Sequence, residues 1–465
     1  MPSIQKPVTT TPYPSGSWTY VDAVSTGHVN GESLKAKFKL KIIVVGAGIG
    51  GLSAAIALAK DGHEIEVLED APKLAEIGAG IQIPPNSARI LQSWGLEDRL
   101  QLKSVRPTSL YWRRWQDGRV IGYTRYRPDF EKWYGSSYYV AHRAHLHEIL
   151  HERAVELGVK VRLGKRVKGY SLVQASLELQ EETLMADLII AADGIKSLAR
   201  RMLNSSAPST LRQHNMAAYR ACVPIESLKG NLDISNTIDL ESINLWLGDS
   251  AHVKSYGIVG GQKWNIVANV PEVREVEDWD ASEVTSVARM QSFFKGWDPT
   301  LEKILDSVTD TRLWPVQDIE CARKWVSPSK KLVLLGDAAH AMIPFMSIGA
   351  AMAVEDASAL SQALRLVESP DRIDHAVDVY EQVRRHRTEA MHEASYRHAY
   401  TIHLPDGPLQ RARDAQMEDE VAGVHFVRSP NQWSDPTTQL WAYGYDAAAA
   451  IRDAWYEEVA SSHGL

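Results

Sequence analysis

The stretch KIIVVGAGIGGLSAAIALAKDGHEIEVLE, residues 41–69, constrains the fold more than any other part of the chain. Leu40 to Val45 is an apolar run rich in β-branched residues, the composition of a strand buried on both faces. Gly46, Gly48 and Gly51 follow at GxGxxG spacing. Ile49 to Lys60 is rich in Ala and Leu, as a helix should be, and Ile65 to Leu68 is a second apolar strand. Glu69 ends it, 18 positions beyond Gly51. In such a unit the first glycine permits a tight turn, the second lets a pyrophosphate approach the backbone, and the third lets helix and strand pack closely. The helix N-terminus presents unpaired N–H groups to the phosphates. Glu69 is placed to accept hydrogen bonds from ribose hydroxyls. The stretch predicts a dinucleotide site, without separating FAD from NAD.

Composition narrows the class. At 465 residues, 44 % hydrophobic and 23 % charged, the chain reads as a globular protein of several domains. The net charge of −7 speaks against a nucleic-acid partner, and no apolar run is long enough for a membrane span. Two cysteines far apart, Cys222 and Cys321, fit a reducing compartment and a cytoplasmic protein. Neither has a partner at metal-binding spacing, so no metal is expected. Residues 1–38 are rich in Pro, Ser, Thr and Gly and read as a mobile leader rather than a secretory signal.

Two later stretches decide between the dinucleotides. ADLIIAADGIKSLARRML (186–203) runs a strand into Asp193-Gly194. KLVLLGDAAHAMIPFMSIGAAMAVEDASAL (331–360) runs a strand into Gly336-Asp337, then a loop, then Gly349-Ala350 at the head of an Ala-rich helix. A helix opening at small residues offers its dipole to an anionic ring edge, which suits a reduced flavin. In this order the three motifs resemble the class A FAD-dependent aromatic hydroxylases, from about residue 40 to the C-terminus. GAGIQIPPNSARIL (78–91), HRAHLHEIL (142–150), AAYRACVP (217–224), AHVKSYGIVGG (251–261) and HLPDGPLQRARDAQM (403–417) are similar to the salicylate-hydroxylase-like branch, especially its fungal members.

The resemblance implies a Rossmann-like α/β FAD domain, a mixed or antiparallel substrate sheet and a helical C-terminal part. The implied divisions are 39–212 (with an insert at about 105–137 near the substrate pocket) and 315–400 for FAD, 213–314 for substrate, and 401–465 as an extension. Glu69 would bind the adenosine ribose, Gly80 would lie along the flavin, and Arg143 would contact the ribityl–phosphate region. Asp193 would support both cofactors, Asp337 would hold the ribityl hydroxyls, and Gly349 and Ala350 would sit under the pyrimidine edge. Where the family often has Gln, this chain has Ile348, which removes a side-chain hydrogen bond to the flavin. With a single GxGxxG element, NAD(P)H is expected to dock transiently as a co-substrate.

Residues 213–314 alternate apolar and polar residues, as antiparallel strands do. Arg220, among small and apolar neighbours, suits a phenolate or carboxylate. Tyr256 could orient a ring hydroxyl. His252, four positions earlier and so on the same strand face, could remove a phenol proton. His340 reads as scaffolding near the flavin, His142, His145 and His147 as helix-face residues, and EQVRRHR (381–387) as a solvated helix face.

The function this implies is an FAD-dependent monooxygenase. NAD(P)H and O₂ would hydroxylate a phenolic substrate through a C4a-hydroperoxyflavin, with CO₂ leaving where the attacked carbon bears a carboxylate. Alternatives are an epoxidase or hydroxylase of a fungal terpenoid, alkaloid or polyketide, and a flavin-binding protein without turnover. A homodimer is left open, as are the substrate and the choice between NADH and NADPH.

Overall fold

The computed structural model describes residues 28–29, 32–33, 35–74, 79–206, 211–272 and 283–463; most of the expected leader lies outside them. The apolar runs read as strands form one parallel sheet. Its order is Lys160–Arg162, Glu64–Leu68, Lys41–Val45, Leu188–Ala191, Leu332–Leu334. Ile42, Val44, Ile189 and Ile190 at its centre are fully buried, as strands covered on both faces must be. The helix Ile49–Lys60 leaves the glycine turn and packs against the helix Gly349–Arg365. Two motifs some 300 positions apart are thereby brought together.

The second sheet has eight strands, in the order Glu283–Thr285, Thr311–Ile319, Leu211–Pro224, Lys263–Val270, Ala251–Ile258, Ile243–Gly248, Ser109–Arg114, Val120–Arg125. Its pairs are antiparallel except Ile243–Gly248 with Ser109–Arg114. The stretch 105–137, expected near the pocket, thus supplies two strands at one edge of this sheet, and none of its residues lines the cleft described below. Together the two sheets give the α/β architecture with a mixed substrate sheet that the sequence predicts. Among the described residues, no helix is long and apolar enough to cross a membrane.

The 381–387 segment corrects one expectation. It belongs to the helix Ile373–Ile402, and Arg384 and Arg387 are 0 % and 4 % exposed rather than solvated. The reason is a facing pair of buried acids on Gly349–Arg365. Arg384 Nε donates to Asp356 Oδ1 at 2.8 Å, and its Nη1 donates to Glu355 Oε2 at 2.8 Å. Arg387 donates to Glu355 and to the carbonyls of Trp441 and Ala442. Asn86 Nδ2 donates to Glu355 Oε1 at 2.6 Å, the oxygen that Arg387 Nη2 also reaches. Removing one partner of such a cluster leaves buried charge uncompensated. Arg384→Met is therefore expected to lower the free energy of unfolding by about 3–5 kcal/mol, read from urea titrations. A loss under about 1 kcal/mol, the worth of a surface pair, would contradict this role.

Candidate active site

The glycine loop shows why each glycine is needed. Gly46 has φ +100°, and a Cβ there would lie 2.3 Å from the Ala192 carbonyl oxygen. A Cβ on Gly51 would lie 1.9 Å from the Gly46 oxygen. Gly48 differs, because no protein atom lies within 4 Å of where its Cβ would be, and the residue opens onto a cleft. The bare backbone at Gly48 is the surface a pyrophosphate would use. Glu69 accepts from the backbone N–H of Ala47 at 2.7 Å and of Ala71 at 2.9 Å, so it holds the loop in shape. His147 Nε2, 2.6 Å from the Ala47 oxygen, grips the same turn from the buried face of its helix.

The cleft has a volume of about 330 Å³. It runs from Gly48 past Asp337, Gly349 and Ala350 to the face of the eight-stranded sheet. Asp337 follows Gly336 (φ +65°), and among the described residues nothing hydrogen-bonds its carboxylate. Asp193 uses one oxygen to cap the helix Leu198–Leu203 and to accept from Tyr170, while Oδ1 is buried without a partner. Its neighbour Gly194 lines the cleft; Asp193 itself does not. No side chain caps the helix that starts at Gly349, so its first N–H groups are left for a ligand. Ile348 is 2 % exposed and packs with Phe345 and Met346, an apolar wall in place of an amide. These features fit FAD: a backbone cradle open at Gly48, acid oxygens awaiting hydroxyl donors, and an uncapped helix terminus.

Gly80 lies where the cofactor side meets the substrate side. A Cβ there would sit 2.5 Å from Tyr256 Oη, and its N–H donates to Asn265 Oδ1 at 2.7 Å. The missing side chain makes room for the tyrosine. Arg143, first residue of Arg143–Glu156, lines the same cleft; burial holds the Arg220 pKa down, and the Arg143 charge adds to it.

On the sheet face, strand register sets three rows that cross Lys263–Val270. They are Ala218–Asn269–His252, Arg220–Val267–Lys254 and Cys222–Asn265–Tyr256. Residues two apart on a strand share a face, so His252, Lys254 and Tyr256 all point into the cleft. The Arg220 side chain makes no hydrogen bond among the described residues; its Nε is buried and unpaired, and its guanidinium lies 5.3 Å from the Trp314 ring centre. Burial pushes Tyr256 up to about 12, against the pull of Arg220.

His252 sits where the sequence puts it, but both its nitrogens are engaged. Asn269 Nδ2 donates to Nε2 at 2.9 Å, which leaves the ring proton on Nδ1, 2.7 Å from His403 Nε2. Burial, with His403, Lys254 and His398 nearby, holds its pKa well below the usual histidine range. A ring in this state is a poor proton acceptor, which corrects the assignment of His252 as base.

Lys254 was not singled out from sequence, although the alternation linking His252 to Tyr256 also places residue 254 on this face. Its Nζ donates to Ser347 Oγ at 3.0 Å and lies 4.2 Å from the Trp433 ring centre. Burial lowers its pKa to about 7. Trp433 and His403 come from the chain that follows the helix Ile373–Ile402, so that segment helps enclose the site.

The two glycines separate fold from binding. Gly51→Ala is expected to cost stability, read as a lowered melting temperature, because the new methyl meets backbone. Gly48→Ala, at φ −70°, should melt like the parent and purify with less flavin. Equal flavin content in Gly48→Ala and the parent would remove the pyrophosphate assignment.

Comparison with known proteins agrees with this geometry. Residues 39–395 match the family described as FAD binding domain. The chain is 33 % identical over 418 residues to the FAD-dependent monooxygenase OpS4 of Beauveria bassiana (strain ARSEF 2860), covering 89 % of this chain and 97 % of that one. It is 32 % identical over 414 residues to 3-amino-4-hydroxybenzoate 2-monooxygenase of Streptomyces cremeus, covering 88 % and 96 %. A salicylate hydroxylase solved with substrate shares the fold, with a TM-score of 0.73 at 24 % identity over 90 % of this chain and 98 % of that one. The glycine cradle, the uncapped helix and these likenesses place the chain in the FAD-binding-domain family, among the class A FAD-dependent monooxygenases.

Proposed function

We propose that this monooxygenase hydroxylates a phenolic aromatic compound that carries an anionic group, with NAD(P)H as reductant. The observation that carries the reading is the middle row of the sheet face. Arg220 and Lys254 flank Val267, two strand spacings apart, or roughly 10 Å between backbones. That slot has an apolar floor, with the Arg220 guanidinium on one side and the Lys254 amine on the other. The Arg220 guanidinium forms no ion pair among the described residues, so an anion is its missing partner. The activity named for the Streptomyces relative, on an amino-hydroxybenzoate, supports the same class.

Bound reduced flavin would supply an electrophilic oxygen atom from O₂, and the chain's own residues do the rest. Arg220 pairs with the anionic group. Tyr256 hydrogen-bonds the ring hydroxyl and sets which carbon faces the cofactor. Phe345, Ile348 and Val267 keep water out, which matters because activated oxygen in a wet site is lost as H₂O₂. His252, held by Asn269 and His403, fixes the wall behind the ring. Asp337 would hold ribityl hydroxyls of bound FAD, Glu69 would accept from the ribose beside its loop contacts, and the N–H groups at Gly349 and Ala350 would stabilise negative charge on the reduced ring. A carboxylate on the attacked carbon would leave as CO₂.

The test is mass spectrometry of products from a panel of hydroxybenzoates incubated with NADH or NADPH and ¹⁸O₂. One labelled oxygen in a hydroxylated product is expected; NAD(P)H oxidation without label would overturn the reading. Tyr256→Phe should give less product and more H₂O₂ per NAD(P)H consumed. Arg220→Met should raise KM for anionic substrates about 10- to 100-fold, the equivalent of the roughly 1.5–3 kcal/mol of a charge-assisted hydrogen bond. Unchanged coupling and KM in these variants would remove both residues from the site.

A further inference from the structure

Lys254, His252, His398 and His403 form a cluster of basic groups with no acid among them. His252 and Lys254 come from the strand Ala251–Ile258, His398 from the helix Ile373–Ile402, and His403 from the residue after it. Among the described residues none of the four pairs with a carboxylate. His398 is fully buried with neither ring nitrogen hydrogen-bonded, and its ring centre is 4.2 Å from that of Trp433. His252 and His403 are engaged with each other. The groups facing Lys254 from the other elements packed on it are Ser347, the Trp433 ring, and Leu245 and Val267 on the adjoining strands. None of these is an anion, and burial alone brings the amine to about 7.

We propose that Lys254 is the proton acceptor for the substrate's ring hydroxyl. This rests on the phenol reading above. The phenol O–H bond breaks, an N–H bond forms on Nζ, and a phenolate and an ammonium face each other across the slot. Three observations carry it. Lys254 is on the cleft face in the row that holds Arg220 and Val267. His252, the other candidate on this strand, has its Nε2 lone pair occupied by Asn269. The ammonium, once formed, has acceptors in place: the Ser347 hydroxyl and the face of Trp433. The neutral amine and the neutral phenol are each cheap to bury, and the pair of charges appears only when both are present. The phenolate is then electron-rich at its ortho and para carbons, where an electrophilic oxygen attacks.

The experiment uses the flavin-loaded enzyme without reductant, with 4-nitrophenol as probe, because its phenolate absorbs in the visible. Parent, Lys254→Met and Lys254→Arg are titrated with pH, and flavin content is measured in each to verify the cofactor site. In the parent the bound probe should ionise at lower pH than the free probe, with the ionisation constant shifted about tenfold or more, one pKa unit. Lys254→Met should lose that shift. Lys254→Arg keeps the cation and should retain it, which separates loss of charge from collapse of the site. Oxygenation of the hydroxybenzoate that turns over best gives the second readout. In the parent it should rise with pH through about 7, as the amine loses its proton and becomes able to accept one. Lys254→Arg should lack that step, and Lys254→Met should be slower by about 10²–10⁴-fold, the loss shrinking at high pH where the phenol ionises unaided. Identical probe ionisation in parent and Lys254→Met, or a retained step near neutrality in Lys254→Arg, would overturn the assignment. A parent enzyme that binds 4-nitrophenol and oxygenates hydroxybenzoates while Lys254→Met behaves identically rejects Lys254 alone. A parent that binds no phenol rejects the phenol reading, and this assignment with it.

Discussion

The site depends on a buried charge cluster that never touches substrate. Asp356, fully buried, accepts from Arg384 through one oxygen, and through the other from the Gly336 N–H at 3.0 Å, with His340 Nε2 2.6 Å away. One carboxylate thereby joins the long helix, the helix that starts at Gly349 and the turn that presents Asp337. Its pKa is held below the usual range by His340 and Arg384 despite burial, and the Arg384 pKa is pushed up by Glu355 and Asp356. Such a cluster is expensive to bury and costly to break, so it fixes geometry more surely than it adds stability. Gly336, Asp337, Gly349 and Ala350 inherit their relative positions from it.

The substrate face is the electrical opposite. Behind the cofactor cradle, acids and arginines are matched within the protein. On the sheet face and the helix end that covers it, Arg220, Lys254 and three histidines stand without an acid. A protein can bury unmatched basic groups only by keeping some of them neutral, and the lowered pKa values of His252, His398, His403 and Lys254 are that adjustment. The same shortage of negative charge is what an incoming anion relieves. Matched charge in one region builds the scaffold, and unmatched charge in the other makes the ligand part of the structure.

Much of this was legible in the chain, and the reasons are local. The strand–glycine–helix unit at 41–69 is read from consecutive residues, so its strand, helix and glycine roles follow from spacing. The turn at Asp337 and the helix head at Gly349 are legible for the same reason. The burial of Arg384 was not, because its partners Glu355 and Asp356 are on another helix, and periodicity along 381–387 carries no record of what lies opposite. Lys254 was hidden differently. A lysine in an alternating strand is ordinarily at the solvent face, and it is buried here by Ser347, Trp433 and the end of the helix Ile373–Ile402, all distant in sequence. His252 was placed correctly on its strand and assigned a task that Asn269, one strand over, leaves it unable to perform.

The chain beyond the long helix accordingly belongs to the proposed site. Trp433 roofs the Lys254 amine and packs edge-on to Trp112 of the strand Ser109–Arg114, with ring centres 6.1 Å apart. His403 and Phe345 pack edge to face at 5.3 Å, which joins the end of the long helix to the loop before Gly349. Water that reached this region would solvate the ammonium and the phenolate separately, and the advantage of forming them as a facing pair would be lost. The aromatic seal and the lysine therefore serve one purpose. A proton moved a short distance inside a dry slot activates the ring at the place where the oxygen is delivered, and the same dryness keeps that oxygen from being spent on water.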